Sequence, residues 1–164
     1  MDKAEFVARF GGIFEHSPWI AERAWDKGDL PGTPDTDSLH HCLVAAFRAA
    51  GEDERLGVLR AHPDLAGKLA VAGELTEHSR QEQAGAGLDQ LTETEFARFT
   101  DLNTRYQTKF GFPFIIAVKG LTKQEILHAF ENRIHHSRDV EFDTACHEVE
   151  KIAQLRLNAM TFGD

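Results

Sequence analysis

Long apolar runs are missing from this sequence. No stretch approaches the ~20 consecutive apolar residues of a membrane span, so none is expected. The opening MDKAEFVARF carries acids and lacks the uninterrupted apolar core of a signal peptide, and the closing TFGD is no S-K-L-type address. Cysteine is scarce: Cys42 and Cys146 are the only two, with no Cys-x-x-Cys spacing, which excludes a disulfide framework and fits two reduced, hydrophobic thiols in a cytoplasmic protein. Basic residues are the minority, 18 Lys+Arg against 27 Asp+Glu, for a formal charge of -9. That balance excludes the basic footprint of a nucleic-acid binder. It also means that an anionic ligand would have to be captured by one local positive group.

Metal motifs are absent as well, although there are nine histidines. There is no His-Glu-x-x-His. Glu125-x-x-His128 has no second copy, and Glu125 already fits a capping box. The adjacent pairs His40-His41 and His135-His136 would point about 100° apart on a helix and chelate poorly. No functional metal is expected. Repeats, low-complexity tracts and linkers are also lacking, so 164 residues at 41% hydrophobic content predict one globular domain, residues 1–164.

What is present is helical punctuation. Asp2 to Glu15 places Phe6, Phe10, Ile13 and Phe14 at helical spacing, and SPWIAERAWDKG offers Ser17 as N-cap, Pro18 at the first helical position and Gly28 as stop. LPGTPDTDS reads as a loop; SLHHCLVAAFRAAG reads as a helix with Leu39, Leu43, Ala46 and Phe47 inward, and a fourth helix covers Asp53 to Ala61. Thr92-x-x-Glu95 boxes a long helix with Phe96, Phe99, Tyr106 and Phe110 on one side and Gly111 at its end. FPFIIAVKG has no partner strand and reads as a buried extended segment. Thr122-x-x-Glu125 opens a helix to about His136, and a last one runs from about Val140 to Asn158. The expectation is a compact all-α domain of seven or eight helices.

Three places carry chemistry. In AHPDLAG, His62 precedes Pro63, and proline restricts the backbone of its predecessor, so the ring is aimed by the chain. The alternative is a histidine that merely finishes a helix. In SRQEQAGAGL, Glu82 is a second candidate, with Gln83 beside it, although Ser79-x-x-Glu82 also matches a capping box. Gly85 and Gly87 in the same window point to close packing by backbone or ligand. In the last helix, Phe142, Cys146, Val149, Ile152 and Ala153 form an apolar stripe whose next position is Arg156. That arginine either pairs with a core carboxylate or holds a substrate carboxylate in its planar fork. Lys119, beside Gly120, reads as solvated. A non-catalytic helical interaction domain and a carboxylate-bridged metal enzyme remain open on these residues alone.

Taken together, EHSPW from Glu15, AHPDLAG from Ala61, SRQEQAGAGL from Ser79, LNTRYQTKFGFPFI from Leu102 and IAQLRL from Ile152 resemble the 2-oxo-4-hydroxy-4-carboxy-5-ureidoimidazoline decarboxylases of urate breakdown. Residues 20 to 50 and 68 to 78 carry no part of the resemblance. It implies an all-helical, cofactor-free, homodimeric enzyme that acts on a small anionic ureidoimidazoline and yields (S)-allantoin. It places the catalytic histidine on His62 and the Ser and Glu-Gln group on Ser79, Glu82 and Gln83. Pro63 joins the substrate site, substrate-contacting backbone falls near Phe114, Ile115 and Ile116, and the C-terminal arginine falls on Arg156.

Overall fold

The computed structural model describes residues 1–30, 32, 35–67 and 72–160. Among these residues there are eight α-helices and no strand, as the periodicity predicts. They group into two compact units, Met1–Ala61 with Val149–Asp164, and His62–Glu148. The loop expected over LPGTPDTDS falls partly on Pro31, Thr33 and Pro34, outside the described residues, as does the TFGD end.

The first unit contains α1 (Lys3–Phe10), α2 (Trp19–Lys27), α3 (Thr36–Ala49) and α4 (Glu52–Ala61). Asp2 caps α1 in a reciprocal box with Glu5. The helix stops at Phe10, earlier than Glu15, where Gly11 and Gly12 interrupt it; Ile13 and Phe14 remain buried in the turn that follows. Ser17 does not cap α2. Its hydroxyl donates to the Glu15 carbonyl at 2.8 Å instead. Asp35 caps α3 through the Ser38 amide. Phe14 and Phe47 meet at 5.3 Å between ring centroids, and each buried phenylalanine contributes roughly 1.5–3 kcal/mol.

The second unit contains α5 (Glu77–Gly85), α6 (Glu93–Phe110) and α7 (Lys123–Arg133), and it takes the first half of α8 (Arg138–Asn158), whose last turns belong to the first unit. The predicted capping boxes of α6 and α7 are both present, Thr92 with Glu95 and Thr122 with Glu125. Gly111 ends α6 at φ 80°, a conformation that suits glycine. Tyr106 lies at the centre of an aromatic core, with the rings of Phe110, Phe112, Phe114 and Phe130 between 4.5 and 5.9 Å away. Phe96 is 42% exposed, against expectation, because the buried length of its stripe starts one turn later at Phe99.

No helix among the described residues is long and apolar enough to cross a membrane. Both cysteines are free thiols.

Candidate active site

His62 follows directly on α4 and is 8% exposed. The four residues after Pro63 form a loop that the side chains of two helices hold from behind. From α5, Gln83 Oε1 accepts the Ala66 N–H at 2.9 Å while its Nε2 donates to the Asp64 carbonyl at 3.2 Å. From α6, Asn103 Nδ2 donates to the Leu65 carbonyl at 2.9 Å and Gln107 Nε2 donates to Asp64 Oδ1 at 2.5 Å. The bracing has work to do, since Ala66 sits at φ 52°, a left-handed conformation that costs a non-glycine residue about 1–3 kcal/mol. Gly67 is required sterically: a Cβ there would lie 2.5 Å from the Cβ of Asp64.

The serine of SRQEQ does not cap its helix. Thr76 does, accepting the Ser79 N–H at 3.2 Å, and the predicted Ser79-Glu82 box is therefore absent. The helix begins three residues earlier, with Thr76 as its N-cap, which leaves Ser79 inside α5 and buried. Ser79, Glu82 and Gln83 stand at i, i+3 and i+4 and so share one face. The two bonds of Gln83 turn that face toward the loop after His62, with Glu82 half-buried beside it. The glycines nearby have a plainer reason than close packing. A Cβ on Gly85 would meet nothing within 4 Å, and Gly87 is accounted for by its φ of 78°.

The segment after Gly111 is buried from Phe112 to Ile115 and at Val118, with Ile116 half-buried, and it forms neither helix nor strand. Lys119 beyond it is exposed. Phe114 stacks on Phe130 at 3.9 Å and 7°. The Ile115 carbonyl accepts from Arg133 Nη1 at 2.7 Å, and the Ala117 N–H donates to Glu148 Oε1 at 3.2 Å. Arg133 is in turn paired with Glu141, whose fully buried carboxylate also takes the Tyr106 hydroxyl and His136 Nδ1. Burial, and after it the bond to Glu141, pushes the Tyr106 phenol far above its ordinary range, so it remains a proton donor to that carboxylate.

His62, Pro63, Ser79, Glu82, Gln83 and Phe114 to Ile116 thus all fall in the second unit. Arg156 falls in the first. There its Nη2 donates to Glu15 Oε2 at 3.1 Å, and its Nη1 donates to the carbonyls of Gly12 at 3.3 Å and Ile13 at 3.4 Å. Of the two readings of this arginine, pairing with a core carboxylate is the one the geometry displays. The other stripe residues of α8 are buried as predicted.

Sequence reasoning missed Asn103, Gln107, Arg133, Glu141 and Glu148. For the two glutamates a signal existed: they stand seven apart on α8, immediately beside its apolar stripe, where a solvated carboxylate is out of place. The other three reach loop residues 18 to 43 positions away in sequence, and no local pattern announces those bonds.

The chain is similar to known proteins over nearly its whole length. The OHCU decarboxylase family model matches residues 1–158. The 2-oxo-4-hydroxy-4-carboxy-5-ureidoimidazoline decarboxylase of Halalkalicoccus jeotgali is 42% identical over 160 residues, covering 98% of this chain and 87% of that protein. The protein of the same name from Haloferax volcanii is 43% identical over 157 residues, covering 96% and 89%. A crystal structure of (S)-allantoin synthase superimposes with a TM-score of 0.78 at 32% identity; the match covers 97% of this chain and 50% of that one.

Proposed function

This chain belongs to the OHCU decarboxylase family, and from that premise we propose that it converts 2-oxo-4-hydroxy-4-carboxy-5-ureidoimidazoline to (S)-allantoin and CO2 in purine breakdown. The substrate's own structure supplies the electron sink. The carbon that loses CO2 bears a hydroxyl and adjoins a carbon-nitrogen double bond. As the carbon-carboxylate bond breaks, its electron pair becomes a new carbon-carbon double bond and the imine π pair moves to nitrogen, which takes a proton. The hydroxyl then gives up its proton as that carbon becomes a carbonyl, and the neighbouring carbon gains a proton on one face. No pyridoxal or thiamine is needed for such a step.

The protein's task is to orient the ring, stabilise developing charge and move protons. In this reading His62 handles the hydroxyl or ring proton and Glu82 sets its charge and position. Ser79 and Gln83 read the carbonyls and ureido group, backbone at Phe114 to Ile116 binds the ring, Pro63 forms part of its wall, and Arg156 takes the carboxylate. Gln83 has a second duty, because both ends of its amide already brace the loop behind His62. That pair of bonds is the observation that carries the proposal, since it joins two motifs otherwise separated in sequence.

The reading also takes residues 1–164 as one family domain, because the family match runs through both units. It further gives a cytoplasmic homodimer with a small anionic substrate and with neither nucleic acid nor membrane as partner. The decisive assay mixes freshly generated substrate with the pure, chelator-treated protein and follows both rate and chirality. One enantiomer formed faster than spontaneous decay is the expected result; racemic allantoin at the spontaneous rate overturns the assignment.

A further inference from the structure

The segment after Pro113 has no regular structure to hold it. The reading above nevertheless asks its backbone to meet an anionic ring. Peptide groups that bind a reacting molecule are effective only when aimed before it arrives. Two buried side chains fix these. Arg133 holds the Ile115 carbonyl and Glu148 holds the Ala117 N–H, one peptide plane on each side of the Ile116 Cα. No cis peptide occurs among the described residues, and in a trans peptide the C=O and N–H point in opposite directions. The N–H of Ile116 therefore points away from Arg133, and its carbonyl points away from Glu148.

Arg133 is itself held on three sides. Its Nε lies 3.2 and 3.0 Å from the two oxygens of Glu141, its Nη2 lies 2.9 Å from Oε2, and its guanidinium carbon sits 4.4 Å from the centroid of the Phe114 ring. Glu141 is locked in turn by the Tyr106 hydroxyl at 2.5 Å and His136 Nδ1 at 2.9 Å. A buried ion pair seldom stabilises a fold more than apolar residues of the same volume would. What the planar fork supplies, and a leucine or methionine would not, is direction at a chosen carbonyl.

We propose that Arg133 is a positioning residue for the decarboxylation: through the Ile115 carbonyl it sets the orientation of the Ile116 N–H, which donates to the ring of the substrate. This rests on the reading that backbone near Ile116 meets the ring. Glu141 and Tyr106 act one step further back, keeping the guanidinium in place.

The test uses the full chain labelled with 15N-isoleucine, titrated with (S)-allantoin, alongside kcat/KM and Tm for the wild type, Arg133→Lys and Tyr106→Phe. Lysine keeps the charge but has no fork to span both Glu141 and the Ile115 carbonyl. In the wild type the Ile116 amide resonance moves on titration while that of Ile20, in the other unit, stays still. Folded Arg133→Lys loses about 10²-fold in kcat/KM, the scale of a misplaced reacting group, and its Ile116 response shrinks. If Arg133→Lys does not fold, Tyr106→Phe decides, because it keeps the ring packing and removes one bond to Glu141; a smaller loss in the same two readouts is expected. Wild-type kcat/KM and an undiminished Ile116 response in the deciding variant overturn the proposal and leave the cluster as packing. A wild type that does not accelerate the reaction overturns the functional reading instead, and one that is active with a silent Ile116 amide overturns the assigned contact.

Discussion

Gln83 accepts the backbone N–H of Ala66 at 2.9 Å, and Ala66 is one of the few non-glycine residues at positive φ. The side chain of α5 thus holds in place the least favourable backbone conformation of the loop that carries His62. Replacement by leucine preserves volume and leaves the buried Ala66 N–H and the part-buried Asp64 carbonyl without this partner. The buried N–H alone costs about 1–3 kcal/mol. Gln83→Leu should therefore lose stability in urea denaturation and turn over more slowly, both together. A fall in turnover with an unchanged urea midpoint would mean that Gln83 serves the substrate alone and does not brace the loop.

His62→Asn addresses the chemistry itself. The residue follows directly on the last turn of α4, and asparagine keeps a planar polar side chain there, so the fold should survive with its circular dichroism unchanged. Losing a proton-transfer group costs roughly 10²–10⁴-fold in rate. Single-turnover kinetics with fresh substrate reads this directly, and near-normal turnover would reduce His62 to a helix-end residue.

Glu82→Gln is a sharper experiment than the sequence promised. Ser79-x-x-Glu82 has the spacing of a capping box, which would have tied the glutamate to stability. With Thr76 in the capping role, the substitution removes no cap and keeps the size of the side chain, so Tm should stay within about a degree or two. Activity should drop, because glutamine cannot carry the charge that steadies a histidinium. A fall in Tm of several degrees at full activity would reinstate a structural role for Glu82.

These cases show which features are legible in a sequence. Thr92-Glu95 and Thr122-Glu125 were readable because a capping box is local, complete within four residues, and followed by an apolar stripe that confirms it. Ser79-Glu82 matched the same pattern and was misleading, since nothing within those four residues reveals that the helix begins three residues earlier, with Thr76 as its N-cap. The α8 stripe was readable in the same local way, down to the out-of-place Arg156. Its partner was not, because Glu15 lies 141 residues earlier and its carboxylate looks like any surface acid until the fold buries it. The motif match supplied His62, Glu82 and Ile115 as a set, and the arginine, carboxylates and amides that hold their loops emerged only from three-dimensional contacts.

Arg156 and Glu15 allow recognition to be separated from core filling. Both side chains are 2% exposed, and the pair is 3.1 Å apart. Removing one partner strands a buried charge, which typically costs about 3–5 kcal/mol. Arg156→Met alone should therefore be unstable, and its inactivity would mean little. Adding Glu15→Leu removes the stranded carboxylate, and apolar replacement of a whole buried pair is often neutral or stabilising, so the double variant should regain much of the lost Tm, held below wild type by the Gly12 and Ile13 carbonyls that lose their donor. Its activity then decides the matter. If the guanidinium also captures the substrate carboxylate, the refolded double variant stays inactive, and Arg156→Lys, which keeps charge without the fork, falls between the extremes. If the double variant regains both Tm and kcat/KM, Arg156 serves only the core, and a different positive group must recruit an anion to this acidic chain.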